Sequence, residues 1–444
     1  MIVIQPRSPP ENHTAGGWIA HDRRKGVAGT ASKKKPLSKR NTKAKKSKAK
    51  AVDINPVLET AEFAYKATNL VQINDEGVKT AARYIKTKLS VDSYTPCTWR
   101  THPLHICPDD SADIVHPKNK RVLDWIFLIS TLNFSFWSER TSKDDVYGVE
   151  WRSSWDARAT KTEGEHVVWT GYWSLVAALD RALADDHIPI IDPKFYSSTT
   201  LCPDSLIEHV FRSAEPREQL PLMKERIAMM RGVGKRLCDD FNGSFLHFIE
   251  SFYQKHDKKG TALDLVKMVT DTFPEFRDES IVDGRKVYIW KRAQILVAET
   301  WAAFHPPSTT TAVRHPIFPH GSQIHLLTMF ADYRVPQILH HLRILSYPPS
   351  LLDILHRGED LPSGCREEVS LRTASIVAVE RVRREMVRMA KENKREQGEE
   401  EISSVLIDFY LWDLAKRIED GEDKVDGIET AEMAPTHRTR CVWY

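Results

Sequence analysis

Three stretches of the chain set isolated carboxylates inside dense aromatic text: DWIFLISTLNFSFWSE (124–139), LLTMFADYRVPQIL (326–339) and SSVLIDFYLWDLAKR (403–417). Removing an ionised carboxylate from water is costly unless something compensates it, so each of these residues needs a reason to be there. Structural reasons are available. Asp332 can pair with Arg334 or cap a helix that Pro336 begins, and Asp413 can bridge to Arg417 one turn on. A chemical reason is equally open. On a helix Phe409 and Asp413 share a face, with Asp408 about 100° back from Phe409, so one pocket would combine an aromatic plate with carboxylate acceptors. That surface suits a flat ring rich in N–H donors, such as a guanine-like base, and suits a buried polar network too.

The surrounding text is helical. NPVLETAEFAYKATNL, DEGVKTAARYIKTKL, TGYWSLVAALDRALADD, PLMKERIAMMRGVGKRLCDDF, TALDLVKMVTDTF and KRAQILVAETWAAF carry apolar residues at helical spacing. Cys365–Lys394 and Glu400–Ile418 close the series. Strand-like text is confined to Val146–Trp151, His166–Trp169 and Lys286–Trp290, the last following a turn at Asp283-Gly284. The expected fold class is therefore mainly α with a few short strands. HPPSTTTAVRHPIFPHGS (305–322) and EDGEDKVDGIETAEMAP (419–435) read as loop inserts.

Charge divides the chain unevenly. The 444 residues sum to +3, yet residues 1–52 carry 14 basic residues against Glu11 and Asp22, a net of +12, which leaves residues 53–444 at −9. The first segment has too little apolar surface to offset its ordering entropy and reads as a disordered basic tail. Within it KKKPLSKRNTKAKKSK resembles a nuclear-import or nucleic-acid-tethering patch, and reads equally as a solvated tail with no partner. The acidic body argues against stable duplex nucleic-acid binding. No apolar run reaches the roughly 18 residues of a membrane span, and the start lacks a secretory layout. The expectation is a soluble protein of the cytoplasm, with the nucleus a second destination.

Cofactor chemistry has no textual support. The six cysteines form no CxxC pair, no HExxH occurs among 18 histidines, and neither a G-x-G-x-x-G nor a Walker loop is present. No metal and no cofactor are expected.

The aromatic stretches carry a specific resemblance. DWIFLISTLNFSFWSE, TGYWSLVAALDRALADDHIPI, FPEFRD, KRAQILVAETW, LTMFADYRVPQIL, IDFYLWD and the segment HRTRCVWY, in that order, resemble the queuosine salvage protein family, the queuosine 5′-phosphate N-glycosylase/hydrolases. The resemblance runs from about Asn55 to Tyr444 and leaves out the basic tail and both inserts. It implies a single catalytic domain over 53–444 and a mostly helical fold similar to helix-hairpin-helix DNA glycosylases. It also implies hydrolysis of the N-glycosidic bond of queuosine 5′-monophosphate, releasing queuine for reuse in tRNA.

Carried over by motif, the resemblance makes Asp332 of FADYR the catalytic carboxylate and Phe330 a base-contacting aromatic. Asp408, Phe409 and Asp413 of IDFYLWD become the base-binding set. His105 of PLHICP becomes a ligand-contacting histidine, with His102 as its substitute because extra residues flank that stretch. The chain departs from the family at Phe409, where a tyrosine is common. A 5′-phosphate calls for cations, and Lys291, Arg292 and Arg334 are the candidates inside the motifs. Their alternative is ion pairing within an acidic body. Two other functions remain open: a base glycosylase acting on nucleic acid, tethered by the tail, and a non-catalytic helical binding protein.

Overall fold

The computed structural model describes residues 54–109, 114–140, 145–155, 166–215, 217–306, 314–392 and 402–444. The basic segment 1–52 and residues 307–313 of the first insert lie outside them. Fourteen α-helices and three two-stranded antiparallel ladders make up the regular structure of the described residues, so the chain is mainly helical. No described helix is long and apolar enough to cross a membrane.

The helices begin where local chemistry starts them. α1 (Pro56–Thr68) has Pro56 in its first turn and is capped by Asn55, whose side chain accepts from the Val57 N–H; α2 (Asp75–Val91) is capped by Asn74 in the same way. α1 buries Val57, Ala61, Ala64 and Thr68 on one face. α3 (Pro117–Leu132) behaves differently. Every residue from Val122 to Leu132 is buried, so this helix has no polar face and its text shows no helical period. α4 (Tyr172–Ala184), α5 (Pro193–Tyr196), α6 (Asp204–Val210), α7 (Met223–Asp240) and α8 (Phe245–His256) follow. α9 (Ala262–Thr272) opens on a reciprocal capping box between Thr261 and Asp264. The last five helices are α10 (Lys291–Ala303), α11 (Arg334–His341), α12 (Pro349–Arg357), α13 (Arg366–Glu392) and α14 (Ser404–Glu419).

Packing is organised around two long elements. α1 and α2 lie on α13, which also meets α11 and α14, while α10 packs on α3, α9 and the 3-10 turn Pro96–Thr101. The ladders are short: Gln72–Ile73 with Leu345–Ser346, Gly148–Arg152 with His166–Thr170, and Glu279–Val282 with Arg285–Tyr288. The last is a hairpin whose turn residues Asp283 and Gly284 have φ of 48° and 75°, the left-handed pair that suits a two-residue turn.

One buried ion network ties these layers together. The Arg372 guanidinium of α13 pairs with Asp278 at 2.5 Å and Glu368 at 3.2 Å, and all three side chains are almost fully buried. Arg372 also lies 4.0 Å over the Tyr444 ring. The segment ending in Tyr444 is sewn to the turn after α3. Ser135 N–H donates to the Tyr444 carbonyl, Ser135 Oγ to that of Cys441, and Trp137 Nε1 to that of Thr439.

Candidate active site

The loop between α10 and α11 is held one residue at a time. Gln294 of α10 accepts from the Thr328 N–H at 3.0 Å and donates to its hydroxyl at 2.8 Å. Asp408 of α14 accepts from the Phe330 N–H at 2.9 Å, and Arg372 Nε donates to the Ala331 carbonyl at 2.9 Å. Asp332 then accepts from the Arg334 and Val335 N–H groups at 2.9 and 2.8 Å, all through Oδ1, at the positive end of α11. Its Oδ2 has no hydrogen-bond partner among the described residues. Of the two structural roles open to Asp332, capping is therefore realised and pairing with Arg334 is not. The Arg334 guanidinium goes to Glu419 instead, at 3.1 Å.

Asp332 opens onto a cavity of about 300 Å³. Lys291, the first residue of α10, lines the same cavity and donates from Nζ to the carbonyl and the side-chain oxygen of Asn133, at 3.3 and 3.2 Å. Burial pushes the Lys291 ammonium down to about 8, against the pull of the Asp332 carboxylate. Asp408 feels both charges. Burial, and then the neighbouring Asp332 charge, holds its carboxyl well above the usual carboxylate range.

α14 supplies the rest of the acidic wall. Phe409 and Asp413 line the cavity on one face, and the Phe409 ring lies 5.9 Å from that of Phe330 at a 51° tilt, so the two form an angled rather than a parallel pair. Asp413 does not bridge to Arg417. Its Oδ2 accepts from the Tyr94 hydroxyl at 2.5 Å, while Arg417 pairs with Asp423. Burial raises the Asp413 carboxyl, and the Tyr94 bond opposes the shift.

Histidines and tryptophans form the facing wall. His105 stacks on Trp99 at 4.0 Å, and its Nδ1 lies 2.6 Å from the Trp99 carbonyl, which requires Nδ1–H as donor. Nε2 is left as a bare acceptor with no partner among the described residues. Burial lowers the ring to about 4, so it is neutral at physiological pH. His102 lines the cavity as well, flat on Trp173 with ring centres 3.4 Å apart. Trp173 and Tyr172 reach the cavity because α4 starts at Gly171, whose φ of 59° and ψ of −139° only glycine adopts readily.

Asp332, Phe330, Asp408, Phe409, Asp413, His105 and Lys291 thus meet around one cavity. Arg292 and Arg334 do not line it. Arg292 is buried behind the wall, donating to the carbonyls of Thr131 and Glu275. Reading the sequence alone also missed Glu299, Tyr172, Trp173 and Tyr94. Glu299 had a usable signal: Lys291, Ile295 and Glu299 stand at i, i+4 and i+8 in KRAQILVAETW and all three line the cavity. Among the described residues no three His, Cys, Asp or Glu side chains converge as a metal-holding group.

The arrangement offers a carboxylate with one fixed and one unbonded oxygen, a nearby buried lysine, angled aromatic rings and several acceptors. That is the equipment for gripping a flat, donor-rich ring while charge develops beside it. Over residues 115–444 the chain matches the family described as queuosine salvage protein. It is 37% identical over 392 residues to the queuosine 5′-phosphate N-glycosylase/hydrolase of Schizosaccharomyces pombe, covering 87% of this chain and 99% of that protein. The mouse protein of that name is 34% identical over 387 residues, covering 87% and 98%. One from Sphaerobacter thermophilus is 30% identical over 388 residues, covering 87% and 97%.

Proposed function

This chain belongs to the queuosine salvage protein family, and on that premise we propose that it hydrolyses the N-glycosidic bond of queuosine 5′-monophosphate to release queuine. The observation that carries the reading is the Asp332 carboxylate, fixed through Oδ1 on the first amides of α11 and unbonded at Oδ2 where it meets the cavity.

The physical logic follows from the bond being broken. As the bond between base N9 and ribose C1′ lengthens, positive charge spreads over C1′ and the ring oxygen. A carboxylate held against that face gains interaction as the charge grows, which is selective stabilisation of the transition state. Asp332 also orients the attacking water and takes its proton as the oxygen bonds to C1′. The base departs with the electron pair of the broken bond on N9 and takes a proton there from solvent, while Asp332 returns the proton it took from the water to solvent. Queuine is a 7-deazaguanine and lacks the N7 acceptor of a purine, so its departure depends on contacts at other ring atoms. Asp408, Asp413 and the bare Nε2 of His105 are acceptors for its N–H groups, and Phe330 and Phe409 are the stacking faces. Lys291 is the cation available to the 5′-phosphate, since Arg292 and Arg334 are engaged elsewhere.

The wider frame of the proposal is one catalytic domain over 53–444 related to helix-hairpin-helix DNA glycosylases. Support comes from the Asp that closes a short apolar stretch in MFADY, as in that group. The protein works in the cytoplasm, with the basic tail as a nuclear address or nucleic-acid tether, and the acidic body does not hold duplex nucleic acid. Incubating purified protein with queuosine 5′-monophosphate and with a queuosine-containing oligonucleotide tests this. Free queuine is expected from the mononucleotide. Release from the oligonucleotide alone would move the activity to nucleic acid.

A further inference from the structure

The acidic wall has a member that the reaction above does not use. Glu299 lines the cavity and is 8% exposed. Its Oε1 accepts from the Tyr172 hydroxyl at 3.1 Å, and its Oε2 has no partner among the described residues. Eight residues separate it from Lys291 on one face of α10, which is about 12 Å along the axis. The Lys291 ammonium lies within electrostatic reach of both Asp332 and Glu299, so the two carboxylates share the cavity with one lysine between their fields.

Aromatic contacts identify the neighbours of Tyr172. Tyr172 meets Trp173 and Trp412 edge-on, with ring centres 4.8 and 6.0 Å apart. Trp412 immediately precedes Asp413, which carries its own tyrosine, Tyr94, at 2.5 Å. Two carboxylates, Glu299 buried and Asp413 half-buried, each hold a tyrosine hydroxyl among tryptophan faces, with no lysine or arginine bonded to either. A carboxylate buried this way without a cation is costly, and the cost disappears when a cationic ligand fills the space. Indole faces add attraction for the same charge. Burial lifts the Glu299 carboxyl to about 7, against the Tyr172 hydrogen bond and the pull of the Lys291 ammonium.

We propose that Glu299, together with Asp413, forms the subsite for the cationic amine arm of the substrate base. Resting on the proposed function, this makes Glu299 a specificity-determining residue that contacts substrate. A base without the arm leaves Glu299 unpaired; a base with it closes a buried ion pair, and the tyrosines hold both carboxylates in place.

The test compares queuosine 5′-monophosphate with 7-deazaguanosine 5′-monophosphate, which has the same ring and no arm. The wild-type protein is expected to favour the queuosine nucleotide in kcat/KM. In Glu299→Gln, which keeps the shape, that preference should fall about 10- to 100-fold. An equal loss on both nucleotides, or an unchanged preference, overturns the proposal. Should Glu299→Gln fail to fold, the wild-type protein still decides: equal thermal stabilisation by free queuine and by free 7-deazaguanine overturns it, and stronger stabilisation by queuine supports it. Turnover of the queuosine nucleotide without any preference sinks this subsite alone. No base release from either nucleotide removes the proposed function and the subsite together.

Discussion

Two sets of buried carboxylates lie close together in this fold and live under opposite conditions. Asp278 and Glu368 are both bonded to the Arg372 guanidinium, two carboxylates sharing one cation. Asp332, Asp408, Asp413 and Glu299 face the cavity with backbone amides, tyrosine hydroxyls and one lysine nearby, and none is bonded to an arginine. The first set stabilises a fold through mutual compensation. The second keeps negative potential in reserve for something that enters. Pairing, more than burial, separates architecture from chemistry here.

That contrast is easiest to break at its extremes. Asp332→Asn keeps an oxygen for the α11 amides and removes the charge facing the cavity, so turnover should fall by about 10³-fold or more while the unfolding midpoint barely moves. The mirror-image change is Arg372→Met. It strands Asp278 and Glu368 and should cost about 3–5 kcal/mol in urea denaturation; because Arg372 also holds the Ala331 carbonyl beside Asp332, activity should fall together with stability. If Arg372→Met left stability intact, the division between the two sets would fail.

A finer probe uses pH. Glu299 titrates at about 7 in the folded protein, above its unfolded value of 4.5. Its contribution is therefore fully present below about pH 4.5 and is lost as pH rises through 7. Glu299→Gln removes that loss, so relative to wild type it should gain up to ~3 kcal/mol more at pH 8 than at pH 4. Equal stability differences at both pH values would mean the carboxylate is already compensated. Gly171→Ala touches no charge. It puts a Cβ on the positive-φ residue that leads into Tyr172 and Trp173, in open space, so the expected cost is backbone strain of roughly 1–3 kcal/mol in thermal unfolding. The smallest effect belongs to Phe409→Tyr, which keeps the ring and adds a hydroxyl, and kcat/KM should stay within about threefold.

The sequence exposed this site unevenly, for physical reasons. FADYR and IDFYLWD were legible because carboxylates among aromatics are conspicuous. α1 and α2 were legible because their apolar residues repeat at helical spacing and bury one face. α3 could not be recognised as a helix that way, since burial on every side erases the period. The wrong partner for Asp413 has the same kind of cause. Arg417 is one turn away on the page, whereas Tyr94 lies 319 residues off and reaches Asp413 only through the fold. Glu299 was hidden inside a helix that reads as ordinary core, and only its register with Lys291 betrays it. The strand Glu279–Val282 escaped for want of length, although the turn beside it was clear.

The central claim is that the unbonded oxygen of Asp332 does the chemistry while its neighbours do the gripping. The most direct test gives queuosine 5′-monophosphate to the wild-type protein and to Asp332→Asn, and follows nucleotide binding by calorimetry alongside queuine release by chromatography. The account predicts that both proteins bind the nucleotide with similar affinity and that only the wild type releases queuine. Comparable queuine release by Asp332→Asn would contradict it.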